Sequence, residues 1–451
     1  MNSKSTINSD QSNPKALHPL LENGSADTPY SRPKYRTYVL CMLTLVYAFN
    51  FIDRQLISIL QESIKHDLSL SDTQLGLLTG FAFALFYVTA GIPIARWSDR
   101  SNRRNIIALA VGIWSFMTAL SGFCFNYLQL LMARIGVGVG EAGGSPPAHS
   151  MISDIYPSDK RGTAMSIYSV GINIGVMLGF FLGGVLNQYI GWRWSFVLIG
   201  VPGVIMAIWL RTMVAEPIRG WSEQGTVNLE HVTFVDVVKK LAVNPTLRHL
   251  FLGSALFAMV GYSTFNWIAP FFIRSHEMGT ASLGLWLALA IGLFGGIGTF
   301  FAGYLGDRLG KRNKSWYLWI PAISGLILIP LYLVIFLTSN LYLALVINFF
   351  PSMLLATYIG TSLAVLHGNV DPRMRATASA LFYLVINIIG LGLGPTIIGV
   401  ISDALTPAFG NESLRWAMLC VLPAAAIWSS VHYFIAAHHI SKSAQTPEGA
   451  G

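Results

Sequence analysis

ARWSDRSNRR, residues Ala95–Arg104, is a basic loop with one carboxylate, set between two apolar runs. It returns as GYLGDRLGKR, Gly303–Arg312, where Asp307 stands 208 residues after Asp99. A second pair keeps nearly the same offset: RGTAMS opens at Arg161 and RATASA at Arg375, 214 residues later. Two independent matches at nearly one offset mark an internal duplication, so the chain is read as two similar halves.

Composition sets the solvent of those halves. Of 451 residues, 53% are hydrophobic and 11% charged, against about 25% charged in soluble domains. The apolar residues fall in blocks of about 20, the length that crosses a bilayer as helix. Twelve blocks are read: 35–61, 73–97, 105–125, 127–152, 162–188, 193–214, 247–273, 281–305, 315–338, 341–367, 377–402 and 413–437. Lipid offers no partner to an unpaired backbone group, and no block alternates like a barrel strand, so all are helices. The expected fold is an all-α polytopic membrane protein, two pseudo-symmetric six-helix bundles over 35–214 and 247–438.

The pieces outside the bundles follow. Residues 1–34 are polar, with no apolar signal core, and read as a disordered tail. Residues 439–451 form a second tail. The connection 215–246 places Phe234, Val237, Val238 and Leu241 at helical spacing, as an amphipathic helix on the membrane surface would. The net charge of +8 does not imply nucleic acid. The N-terminal tail, the even-numbered loops and the C-terminal tail carry 23 of the 29 Lys and Arg; the odd loops carry Lys65, Arg193, Arg274 and Arg415. That asymmetry predicts both termini in the cytoplasm. Three cysteines, Cys41, Cys124 and Cys420, have neither the number nor the spacing of a disulfide framework or a zinc site. No cofactor or metal is expected.

Two basic residues remain, Arg54 and Arg134, and they lie inside spans. Asp53 and Glu141 accompany them in NFIDRQ (Asn50–Gln55) and RIGVGVGEAG (Arg134–Gly143). Insertion scales put a charge at a helix centre at about +2.5 to +3.5 kcal/mol, so four in one half require a reason. Glu141 follows Arg134 by two turns, about 10 Å along the axis and about 20° around it. The first and fourth spans run in opposite directions. Asp53 therefore sits level with Arg134, and Arg54 reaches toward Glu141. A static ion-pair network would fix helix register. Alternatively, a carboxylate whose partner approaches and withdraws changes its proton affinity and can carry a proton. Either arginine could hold an anionic head group.

The glycines of that stretch do not form a dinucleotide fingerprint, which needs a strand before it and a helix after it. Gly136, Gly138 and Gly140, like Gly171, Gly175, Gly179 and Gly183, read as close helix packing. Polar and aromatic mid-span residues are candidates for a cavity wall: Asn50, Asn173, Tyr262 and Asn266 in YSTFNW, Tyr358, Tyr383 and Asn387. An apolar wall with few polar points fits an amphiphile better than a sugar. No serine, cysteine or histidine set is spaced for catalysis, so an enzyme is not expected.

Twelve spans with D-R-x-x-x-R-type loops after the second and eighth resemble the major facilitator superfamily. Its signature corresponds to Asp99, Arg100, Arg103 and Arg104 in the first copy, and Asp307, Arg308, Lys311 and Arg312 in the second. The first copy departs at Ala95 and Asn102, where the second keeps Gly303 and Gly310. NFIDRQ, RIGVGVGEAG and GLGPTIIGVISD (Gly392–Asp403) are similar to the spinster family of lysolipid and sphingolipid transporters. The resemblance implies alternating access, a cytoplasmic gate at the signature loops, and proton coupling through Glu141 and Asp53 with Arg54 and Arg134. It implies movement of protons and an amphipathic, anionic, lipid-like substrate; a monomer is expected, and short outer loops suit the cell inner membrane. Export of drugs or small organic anions, and a non-transporting sensor, remain alternatives.

Overall fold

The structure, a computed structural model, describes residues 28–221 and 234–445. Those residues form helices and turns, with no strand among them. Among the described residues, nine helices are long and apolar enough to cross a bilayer. One of them, Ser158–Met213, is two rods in one assignment: Gly191 at φ 82°, ψ 166° breaks it where the sequence reading separates 188 from 193. The run Arg375–Lys442 is likewise divided by a turn at Gly410–Glu412, where Gly410 takes φ 54°.

Two stretches read as single spans are made of shorter pieces. The first is Tyr127–Glu141 followed by Ser145–Ile155. Pro146 and Pro147 fall in the first turn of the second piece, where an absent N–H costs least. The second is Leu341–Ile347, Phe349–Leu355 and Tyr358–Gly368.

The glycines spaced by four do pack helices closely. Gly179 lies against Gln55 and Ile52 of the first helix, Pro33–Leu68, and a Cβ there would come within 2.9 Å of both. Gly171, Gly175 and Gly183 meet the same helix above and below. Gly140 packs on Trp114 of Arg103–Ser121, so the RIGVGVGE glycines serve packing too.

Several boundaries differ from the sequence reading, each for a tertiary reason. The first helix continues to Leu68 because its polar last turns, including Gln61, Glu62 and Lys65, find partners in other helices. The last helix runs to Gln445. Residues 28–34, read as part of the tail, are folded: Tyr30 is buried and its hydroxyl donates to the Ala215 carbonyl. The remainder of that tail, residues 1–27, lies outside the described residues, as do 222–233 and 446–451. The helix of the central connection is Phe234–Val243. It buries Val237 and Leu241 but leaves Phe234, Val235 and Val238 exposed, so the apolar stripe is only half covered by protein.

Candidate functional site

The four intramembrane charges form two ion pairs between the first helix and Tyr127–Glu141. Arg54 Nε donates to Glu141 Oε2 at 2.6 Å, and Arg134 Nη1 donates to Asp53 Oδ2 at 3.2 Å. Adjacent positions on one helix thus face two depths of the other, as the two-turn spacing of Arg134 and Glu141 requires. Asp53 Oδ1 also accepts from Thr118 Oγ1 at 2.6 Å. Thr118 had no sequence signal; an isolated threonine in an apolar span reads as packing.

The two pairs differ in chemistry. Asp53 and Arg134 are sealed, at 3% and 2% side-chain exposure, while Arg54 keeps 15%. The Arg54 guanidinium lies 5.2 Å from the Phe51 and Phe83 ring centroids and 5.0 Å from that of Tyr87. An arginine over aromatic faces gains from their quadrupoles. Glu141 Oε1 and Arg134 Nε are buried without a hydrogen-bond partner among the described residues. A carboxylate with one occupied and one open oxygen can take a proton without first losing its bond to Arg54.

The cavity candidates separate into four groups. Asn50 is buried one turn from Asp53, and Tyr262 packs against both apolar clusters, between the halves. Tyr383 is exposed and Asn387 half-buried on Arg375–Val385 and the segment after it. Asn173 lies instead in a 430 Å³ groove with Gly292, Gly296, Phe300 and others, at the seam of two helices from different halves. Two candidates do not line a cavity in this structure. Tyr358 is packed against Phe257 with ring centroids 5.2 Å apart, inside the apolar core of the second half. Asn266 is buried because its Oδ1 accepts from Gln61 Nε2 at 2.8 Å and Thr79 Oγ1 at 3.1 Å, which ties the halves together.

That tie belongs to a larger closure at the end of the molecule away from the signature loops. Arg274 donates to both oxygens of Asp72 at 2.7 Å and to Glu62 Oε1 at 2.8 Å. Asp72 also accepts from Lys65 Nζ at 2.5 Å and from Ser402 Oγ at 2.6 Å. Asp403 accepts from the backbone N–H groups of Asp72 and Thr73, at 2.9 and 2.7 Å, so one half caps a helix start of the other. Sequence reasoning missed this network. Lys65 and Arg274 counted there only as loop charges, Asp403 only as the end of the GLGPTIIGVISD stretch, and Glu62 and Asp72 were not singled out.

The signature loops face no such closure. Asp99 and Arg100 are exposed, and their side chains have no hydrogen-bond or ion-pair partner among the described residues. Arg103 is buried within its own half, donating to Glu216 at 2.8 Å, Ser150 at 2.8 Å, the Pro217 carbonyl at 2.9 Å, and Asp154. Arg104 donates its backbone N–H to Glu216 at 2.8 Å and a guanidinium N–H to the Val214 carbonyl. In the second copy, Asp307 accepts from Tyr317 at 3.0 Å and Arg308 donates to Tyr304 at 2.9 Å, while Lys311 and Arg312 are exposed. Only the first copy is an anchored network. Asp154 and Glu216, which complete it, lie far from the motif in sequence and carried no signal there.

Helical rods that meet in two halves, joined at one end and holding a paired charge cluster at mid-span, define a polytopic membrane transporter. The chain belongs to the Major Facilitator Superfamily, whose model matches residues 43–395. It is similar to a bacterial homolog of the human lysosomal transporter spinster, solved in an inward-facing and unoccupied conformation. That structure aligns at a TM-score of 0.82 and 34% identity, covering 92% of this chain and 100% of its own. An MFS-type efflux pump of Mycolicibacterium smegmatis is 31% identical over 395 residues, 88% of this chain and 91% of that protein. Protein spinster of Drosophila melanogaster is 28% identical over 383 residues, 81% of this chain and 61% of that protein. The chain is therefore a multi-pass integral membrane protein of a transporter superfamily, and not an enzyme.

Proposed function

We propose that this protein is a proton-coupled secondary active transporter of an amphipathic, anionic, lipid-like molecule of lysophospholipid or sphingolipid type. It works by alternating access between two six-helix bundles, with twelve spans, both termini cytoplasmic, and the cell inner membrane as its location. It acts as a monomer. The observation that carries the reading is the Arg54–Glu141 pair: a guanidinium in an aromatic cage, partly exposed, against a carboxylate with one open oxygen. Protonating Glu141 removes the charge that faces Arg54. The guanidinium is then free for a phosphate or carboxylate head group, so proton and anion bind together. The sealed Asp53–Arg134 pair fixes the register of the two helices that carry this exchange, and Asp53 supplies the second carboxylate for the proton. In the proposed orientation, the Asp72–Arg274 closure is the outer gate. Asp99 and Arg100 are half of an inner latch, here disengaged.

The efflux pump among the relatives favours a second reading, export of drugs or organic anions. A cationic drug would compete with the proton for Glu141, whereas an anionic lipid would bind with it. Purified protein in proteoliposomes under an imposed pH gradient, offered radiolabelled lysophospholipid, sphingolipid, organic anion and cationic drug in turn, separates these. The lipid reading expects gradient-driven lysolipid or sphingolipid flux, absent in Glu141→Gln with the protein still inserted. Gradient-driven flux of the lipid in Glu141→Gln would remove the coupling role, and flux of the cation alone would replace the substrate class.

A further inference from the structure

The turn Pro29–Ser31 and the start of the first helix form a platform fixed to the far end of Ser158–Met213. Tyr30 donates to the Ala215 carbonyl from a buried position. The Tyr35 hydroxyl accepts from Ala215 N–H at 2.8 Å and donates to the Met213 carbonyl at 3.2 Å. Arg36 donates to the Tyr30 carbonyl at 2.5 Å, with its guanidinium 5.0 Å from the Trp221 ring. These contacts order a segment whose composition alone reads as a polar tail.

On this platform Pro29, Arg32, Lys34, Tyr35 and Tyr38 line an open depression of 440 Å³. Arg32 and Lys34 are exposed, and neither side chain has a hydrogen-bond or ion-pair partner among the described residues. These two cations stand on backbone that the contacts of Tyr30, Tyr35 and Arg36 already hold in place, so an anion that arrives has only their side chains left to order. The surroundings set the depth. Ile205, Ile208, Trp209 and Met213, near the end of Ser158–Met213, are large apolar side chains left exposed, as expected of a surface that meets acyl chains. The depression thus lies where apolar surface gives way to charge, with tyrosine and tryptophan at the headgroup level.

We propose that this depression binds the phosphate headgroup of an anionic phospholipid in the leaflet at the basic end of the molecule. Arg32 presents a fork to the phosphate oxygens and Lys34 a point charge. Tyr35 and Tyr38 flank the glycerol region, and the acyl chains lie along Ile205 and Ile208. The site is distinct from the Arg54–Glu141 pair, since Arg32 lies 22 residues before Arg54, about 33 Å at the rise of a straight helix.

The test uses the full chain in detergent, titrated with dihexanoyl phosphatidylglycerol, dihexanoyl phosphatidylcholine or glycerol 3-phosphate, with binding read by native mass spectrometry and thermal unfolding. Phosphatidylglycerol is expected to bind saturably and raise the unfolding temperature, with phosphatidylcholine at least tenfold weaker. Arg32→Gln/Lys34→Gln should lose at least tenfold in phosphatidylglycerol affinity while unfolding, without lipid, at the wild-type temperature. The charge-matched control Lys311→Gln/Arg312→Gln should retain wild-type affinity. Equal binding of the two lipids, or unchanged affinity in the first variant, would overturn the site. An equal loss in the control would make the effect one of net charge. Glycerol 3-phosphate binding as tightly as the lipid would show a soluble phosphate site instead.

Discussion

Asp72→Asn keeps the shape of the residue at the centre of the closed end and removes its charge. In the native protein that carboxylate receives two bonds from Arg274, one from Lys65 and one from Ser402. Hydrogen bonds to charged groups each contribute about 1.5–3 kcal/mol. Three effects reduce the total: Glu62 still neutralises Arg274, Lys65 keeps 28% side-chain exposure, and an amide oxygen still accepts. A loss of about 2–3 kcal/mol remains. Because Arg274 and Ser402 belong to the half opposite Asp72, the loss falls on the closure between halves more than on the folding of either. At about 1.4 kcal/mol per tenfold, the population closed at this end falls about 30- to 140-fold relative to the open one. A 99:1 preference would move to near parity. Spin labels at His66→Cys and Ala408→Cys, with Cys41, Cys124 and Cys420 replaced, report the distance across this end by pulsed electron resonance. A second, longer distance should appear in Asp72→Asn. Lys65→Gln, which removes one partly exposed bond, should shift the distribution less. An unchanged distribution in Asp72→Asn, with the protein folded, would refute the view that this network holds the end closed.

Two further perturbations test packing and the anchored loop. Gly175→Val places a branched side chain where a Cβ would already come within 2.7 Å of Phe51 Cβ. Overpacking costs about 1–3 kcal/mol, so a lower unfolding temperature and reduced membrane yield are expected; wild-type values for both would refute the close contact. Arg103→Gln leaves Asp154 and Glu216 facing each other's charge without their shared partner. Unpairing a buried ion costs about 3–5 kcal/mol, here reduced toward about 2 because both carboxylates are partly exposed. The same change at Lys311, which is exposed, should leave the unfolding temperature within one degree or so of wild type, and equal losses in the two variants would contradict the asymmetry of the loops.

The repeated loop motifs, the apolar blocks and the sparse intramembrane charges were enough to determine the helical class, the superfamily and the residues Asp53, Arg54, Arg134 and Glu141. Each of these is a local signal: a span needs about 20 apolar residues wherever it packs, and a charge inside one is conspicuous without knowing its partner. The four-residue glycine spacing was legible for the same reason, since it lies along a single helix face.

Partnership was decided by the tertiary structure. Glu62, Asp72, Arg274 and Asp403 converge from four separate segments, and each alone is an ordinary polar residue near a helix end. Arg103 is an anchor and Lys311 is not, although both occupy the same place in the repeated motif, because only the first half brings Asp154 and Glu216 to it. Asn266 and Tyr358 looked like cavity residues by type and depth, yet one bridges the halves and the other fills a core. Depth along a helix follows from sequence position; rotation toward a particular neighbour depends on how the whole bundle packs.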